Sequence, residues 1–185
     1  MLRLYGKGGR TFRSIWMLEE AGVAYERIPI DWSAGESHTD RFLAINPNGK
    51  VPVLQDDDEF YFESFAINYH VARKHANHLW VPENFTSEAI QWLAWGMGEL
   101  EGPHDAANRA SAEIDHSRLD RSLNALRVKL SEQAYMMGDS FTVVDLNTAC
   151  LLLRPQYRPV IEGDGGLLDW FQRCISRAAL NSRVN

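Results

Sequence analysis

Strand-like patterning ends at His75 in this chain. Before that point short alternating runs and helical runs take turns; beyond it every periodic segment has helical spacing. Leu2-Arg3-Leu4-Tyr5 reads as a strand, broken by Gly6-Lys7-Gly8-Gly9. Thr11 to Ala21 is helical through Phe12, Ile15, Trp16 and Leu18, and Gly22 stops it. Tyr25 to Ile30 alternates as a second strand, and Ser33 to Arg41 is a polar loop or short helix. Val51 to Gln55 and Glu59 to Phe62 flank Asp56-Asp57-Asp58 as a hairpin, and Ser64 to His75 is helical again. The order β-α-β then β-β-α defines a compact α/β unit.

The second half carries only helices. In Thr86 to Glu101 the spacing puts Ile90, Leu93, Ala94 and Met97 on one face. Leu119, Leu123, Leu126 and Leu130 form the stripe of a helix over 114–130. Thr142 caps the helix that follows, Asp145 closes a capping box, and Phe141 is placed to pack on Leu146. Leu167 to Leu180 reads as one last amphipathic helix. The expected domains are residues 1–76 and 86–185, joined by a linker over 77–85. Repeats and low-complexity segments are absent from the sequence.

With 45% apolar residues in 185, the chain can bury a substantial core; a net charge of −6 argues against nucleic acid and anionic membranes as partners. Cys150 and Cys174 are too few for a disulfide scaffold, and without a Cys-x-x-Cys pair they suit a reducing cytoplasm. The start of the chain has no signal-peptide pattern, and no apolar run reaches membrane-spanning length. No metal site is expected: His75 and His78 are neighbours, but no cysteine or carboxylate group completes a ligand set around them.

Asn46-Pro47-Asn48-Gly49-Lys50 places a turn ahead of a strand that begins with Pro52. Nine residues after Leu54 come Glu63 and Ser64, at the start of a helix. A proline that removes a ladder donor, near a helix start, leaves open backbone for a small anionic ligand.

Taken in order, several stretches resemble a cytosolic-type glutathione transferase. They are Leu4-Tyr5-Gly6, the run from Trp16 to Glu26, Asn46 to Leu54, Glu63-Ser64-x-x-Ile67, Gly138-Asp139-x-Phe141-Thr142-x-x-Asp145-Leu146, and Trp170-Phe171-x-Arg173 with Arg177. The resemblance covers nearly the whole chain. It implies a thioredoxin-like N-terminal domain that holds glutathione, an all-α C-terminal domain over a hydrophobic co-substrate, and a cytoplasmic homodimer. It also implies a cis peptide at Pro52, with Val51 offering its backbone to the cysteinyl part of glutathione. Glu63 and Ser64 would take the γ-glutamyl end, and Lys50 the glycyl carboxylate.

Such a transferase lowers the pKa of the glutathione thiol, because the thiolate is the nucleophile. The family's donor is a Tyr, Ser or Cys near the end of the first strand or the first helical turn. Here that region reads Tyr5 to Ser14 without a cysteine, and the Cys-type position falls on Arg10. Thr11 as hydroxyl donor and Arg10 as charge, with exposed backbone N–H groups at the helix start, are the expected thiol-activating groups. The competing readings are Thr11 as an N-cap, Arg10 and Lys50 as solvated surface charges, and Glu63-Ser64 as a helix start alone. Trp92, Trp95, Met97 and His104 are either a co-substrate wall or core. A second functional reading keeps the scaffold without catalysis, as a binding or protein-interaction module.

Overall fold

The computed structural model describes residues 1–81, 83–113 and 115–181. These form two compact units, Met1–Leu79 and Trp80–Asn185. The first holds β1 (Leu2–Tyr5), α1 (Thr11–Ala21), β2 (Tyr25–Ile28), the single turn α2 (Asp40–Leu43), β3 (Val53–Asp56), β4 (Glu59–Phe62) and α3 (Ser64–His75). The sheet order is β2-β1-β3-β4; β1 and β2 are parallel, and the other pairs antiparallel. A parallel neighbour requires a crossover, and α1 supplies it. Gly22 closes α1 at φ 65°, its N–H returning to the Glu19 carbonyl. The β3–β4 hairpin turns at Asp57, with φ 55°. α1 and α3 pack along each other. Leu4, Trp16, Leu18, Val53, Leu54, Ile67 and Val71 are fully enclosed.

The second unit contains α4 (Thr86–Trp95), α5 (Gly102–Ala110), α6 (His116–Leu130), α7 (Val143–Leu152), α8 (Arg158–Glu162), α9 (Gly165–Ile175) and α10 (Ala178–Asn181). A π-helical stretch, Gly96–Glu101, joins α4 to α5, and the Gly102 N–H reaches back five residues to the Met97 carbonyl. Pro103 follows at once and has no N–H to donate, which favours a widened turn there. Asp115 caps α6, accepting from the N–H groups of Ser117 and Arg118. Leu119, Leu123 and Leu126 face the core.

Asp145 is the polar centre of this unit. It is wholly buried. One carboxylate oxygen accepts from the Met136 N–H at 2.8 Å and the Trp170 indole at 2.9 Å; the other accepts from the Thr142 N–H and hydroxyl, both at 3.0 Å. Burial pushes its pKa up, and these hydrogen bonds pull against that. Asp145 thereby caps α7 and also ties its start to α9 and to the loop before it.

Several expectations shift. Ile90 and Met97 are 52% and 40% exposed, and Ala94 is exposed with them. The buried face of this segment is Ala89, Trp92, Leu93, Gly96 and Leu100, so of the expected face Leu93 alone packs inward. The expected last helix is two, broken at Ser176–Arg177; the Arg177 side chain lies 4.1 Å over the Phe141 ring. The 77–85 stretch forms two short 3-10 turns, Asn77–Leu79 and Glu83–Phe85. Pro82, Ile114 and residues 182–185 lie outside the described residues.

Candidate functional site

Four segments of the first unit meet at one end of its sheet. β1 runs out into Gly6, whose N–H donates to the Ile28 carbonyl at 2.9 Å. Gly6 sits at φ 130°, and a Cβ there would lie 2.5 Å from Thr11 Oγ1 and 3.0 Å from Val51 Cβ. Only glycine fits between these two side chains. Gly6 therefore lets the start of α1 and the approach to β3 close onto the end of β1.

The Gly8–Gly9 loop has two successive left-handed residues, at φ 65° and 50°. α1 then opens tightly, with the N–H groups of Thr11, Phe12 and Arg13 donating to the carbonyls three residues earlier at 3.0, 3.2 and 3.3 Å. The first helical N–H groups are thus engaged by the loop rather than left open. Arg10 occupies the N-cap position without a side-chain capping bond and is exposed. Thr11 is the first residue of the helix, not its cap. Its side chain is fully buried, and Oγ1 has no hydrogen-bond partner.

The turn before β3 is held by Asn46, which is 1% exposed. Its amide donates to the Lys50 carbonyl at 2.7 Å, and its Oδ1 accepts from the Asn48 N–H at 3.1 Å. Lys50 is exposed, Val51 half-buried and Pro52 buried. The Val51–Pro52 peptide is cis. Because Val53 pairs with Phe62, the segments leaving the hairpin, Val51–Pro52 and Glu63–Ser64, run from adjacent strand ends.

Glu63 is exposed and held at φ 66°, a left-handed value that costs a non-glycine residue of order 1 kcal/mol or more. Its carbonyl accepts from the Ile67 N–H at 2.9 Å, starting α3. Ser64 is buried, and its Oγ accepts from Arg13 Nη1 at 2.8 Å. The Arg13 guanidinium also lies 4.4 Å over the Phe65 ring, and its backbone carbonyl accepts from Asn68. A buried guanidinium beneath a helix N-terminus, with Lys50 nearby in the chain, gives this end of the sheet a positive field suited to a carboxylate.

The structure thus joins Gly6, Thr11 and Val51 by contact, and Arg13 and Ser64 by a hydrogen bond. Arg10 and Lys50 stay at the surface. Tyr5 points elsewhere: its hydroxyl donates to Gln55 at 2.9 Å. Arg13 is not among the site residues expected from the sequence. The signal for it was an arginine inside the apolar run of α1, with no acidic residue three or four positions away to pair with it on the helix.

The fold and this site define a thioredoxin-like domain followed by an all-helical one. The glutathione S-transferase N-terminal domain matches residues 1–73, and the C-terminal domain of the same enzymes matches residues 89–178. Glutathione S-transferase 3 of Zea mays is 31% identical, over 99% of this chain and 93% of that protein. Glutathione S-transferase GstB of Escherichia coli K12 is 29% identical, over 100% and 98%. Among solved structures, maize glutathione S-transferase I in complex with an atrazine glutathione conjugate is 27% identical. It superposes with a TM-score of 0.76 over 98% of this chain and 95% of that one. The chain belongs to the glutathione S-transferase family, whose co-substrate is glutathione. Among the described residues no helix is long and apolar enough to cross a membrane.

Proposed function

We propose that this protein binds glutathione at the end of the sheet just described and activates its thiol for attack on a hydrophobic electrophile. The observation that carries the reading is the Arg13–Ser64 pair at the start of α3, across the hairpin from Val51–Pro52. In this reading residues 1–76 hold glutathione and residues 86–185 form the helical domain. Val51 and Pro52 offer backbone to the cysteinyl part. Glu63 takes the ammonium of the γ-glutamyl end, and Ser64 with the helix N-terminus takes its carboxylate. Lys50 meets the glycyl carboxylate. The maize relative holding an atrazine conjugate supports an apolar electrophile as the second substrate. The working form is the family's usual cytoplasmic homodimer.

Thiol activation falls to Arg10 and Thr11. Arg10 supplies positive charge at the loop. Thr11 Oγ1 has no partner of its own, so a sulfur seated against Val51 would be the acceptor it lacks. The balance is a thiol proton lost to solvent, a new carbon–sulfur bond, and departure of the electrophile's leaving group.

A second reading, a binding module without catalysis, has one observation in its favour: Thr11 is shielded from solvent on every side. Two measurements separate the readings. Retention on immobilised glutathione, with release by free glutathione, is expected for both site-based readings, and its absence removes the site. Titration of bound glutathione is expected to show a thiol pKa below the free value of about 8.5. An unshifted thiol with intact retention leaves the non-catalytic module.

A further inference from the structure

At the far end of β3 and α3 from the candidate glutathione site, three potential metal ligands converge. Asp56 ends β3 and is 3% exposed. His70 and His75 lie on α3, and the Nε2 atoms of both approach Asp56 Oδ2 at 2.7 Å. The three ligand atoms all lie within 4.8 Å of one another. His70 and His75 lie six and eleven residue steps beyond Ser64, so they sit about 9 and about 16 Å along α3 from it.

We propose that Asp56, His70 and His75 form a binding site for one divalent ion of the zinc, cobalt or nickel class. Two imidazole nitrogens and one carboxylate oxygen suit these borderline ions; calcium and magnesium prefer all-oxygen shells. A tetrahedral zinc ion with bonds of about 2.0–2.1 Å separates its ligand atoms by about 3.3 Å. The 2.7 Å contacts need to open by about 0.6 Å. Fourth place falls to water, since the His70 and His75 side chains remain 15% and 23% exposed.

The rings are already held in place. His70 stacks on Tyr61 with centroids 3.9 Å apart, and the Tyr61 hydroxyl is tied to Glu59 at 2.6 Å. His75 sits edge-on to His70 at 5.9 Å. Such support fixes ligand orientation before the ion arrives. Asp57 and Asp58 form the hairpin turn next to Asp56, Glu59 begins β4 opposite it, and the three add a negative field. The competing cation is Lys74, whose Nζ contacts the same Asp56 oxygen at 2.9 Å and whose side chain is 45% exposed. It is free to swing into solvent as the ion enters. To ligate the ion each imidazole has to offer it a bare Nε2, with its proton on Nδ1.

The test is calorimetric titration of untagged, chelator-treated protein with zinc in buffer without glutathione. One equivalent is expected to bind. His70→Gln and His75→Gln keep a donor for Asp56 but lose the imidazole, and each is expected to weaken binding by at least about tenfold. Lys74→Met removes the competing charge and is expected to tighten binding several-fold, an effect a purely structural polar cluster has no reason to show. Cobalt is expected to give the intense visible bands of a tetrahedral site in the wild type and not in His75→Gln. Unchanged near-ultraviolet circular dichroism of the metal-free variants establishes that they are folded. The proposal is overturned if the wild type binds no zinc, or if either histidine variant binds it as tightly as the wild type.

Discussion

Thr11 and Arg13 are two residues apart in α1, yet their surroundings assign them different work. Thr11 carries a buried hydroxyl without a partner, a group whose burial costs about 1–3 kcal/mol. Thr11→Val keeps the shape and removes that cost. Its folding stability is expected to equal or exceed the wild type in urea unfolding. Its turnover is expected to fall roughly 10- to 100-fold, because one donor to the developing thiolate is lost. Unchanged turnover would remove Thr11 from the chemistry. Arg13 is a positioning residue that holds Ser64 and lies over Phe65. Arg13→Lys preserves the charge but not the planar reach of the guanidinium. It is expected to lose about 1–2 kcal/mol of stability and to raise the KM for glutathione more than it lowers kcat. The reverse pattern would place Arg13 in catalysis. The sequence offered Thr11 as a candidate through the family resemblance, as the residue that follows the Cys-type position at Arg10. It did not offer Arg13, because its partner Ser64 lies 51 residues away.

At the scale of elements, local rules worked where one segment closes its own hydrogen bonds. The Thr142–Asp145 capping box forms as its spacing implies. What the spacing does not contain is the second load on Asp145, the bonds from Met136 and Trp170. Asp145→Asn has one acceptor oxygen for four donors and turns its own NH2 toward some of them. A loss of about 2–5 kcal/mol is expected in chemical denaturation, with α7 and α9 loosening together. A loss under about 0.5 kcal/mol would show that the two outer bonds contribute nothing. The Ile90–Ala94–Met97 stripe went astray for a related reason: spacing along one helix does not say which face its neighbours cover, and it is Ala89, Trp92, Leu93, Gly96 and Leu100 that turn inward. Apolar residues also continue past Ser176, so hydrophobic spacing alone did not mark the break between α9 and α10.

In the molecule as a whole, Asp56 carries the clearest pH signature. Burial alone would raise its pKa; hydrogen bonds from His75, His70 and Lys74 outweigh this and hold it well below the usual carboxylate range. A folded pKa below the unfolded one means that the folded state binds fewer protons. The stabilisation is present above the unfolded value of about 4 and is lost as pH falls toward the folded value. Asp56→Asn, with a chelator present, is expected to be less stable at neutral pH and to lose stability less steeply below about pH 4. Parallel acid-unfolding curves would refute the assignment. The sequence by itself determined what short-range chemistry determines: an α/β first unit, a helical second one, the turn at Asn46–Lys50, the α7 cap, and the family. Tertiary structure alone decided which distant side chains meet. Arg13 reaches Ser64, Trp170 reaches Asp145, and His70 and His75 reach Asp56 only after strands pair and helices pack. A pattern along the chain records the periodicity of each element, whereas a site is a coincidence of several elements in space.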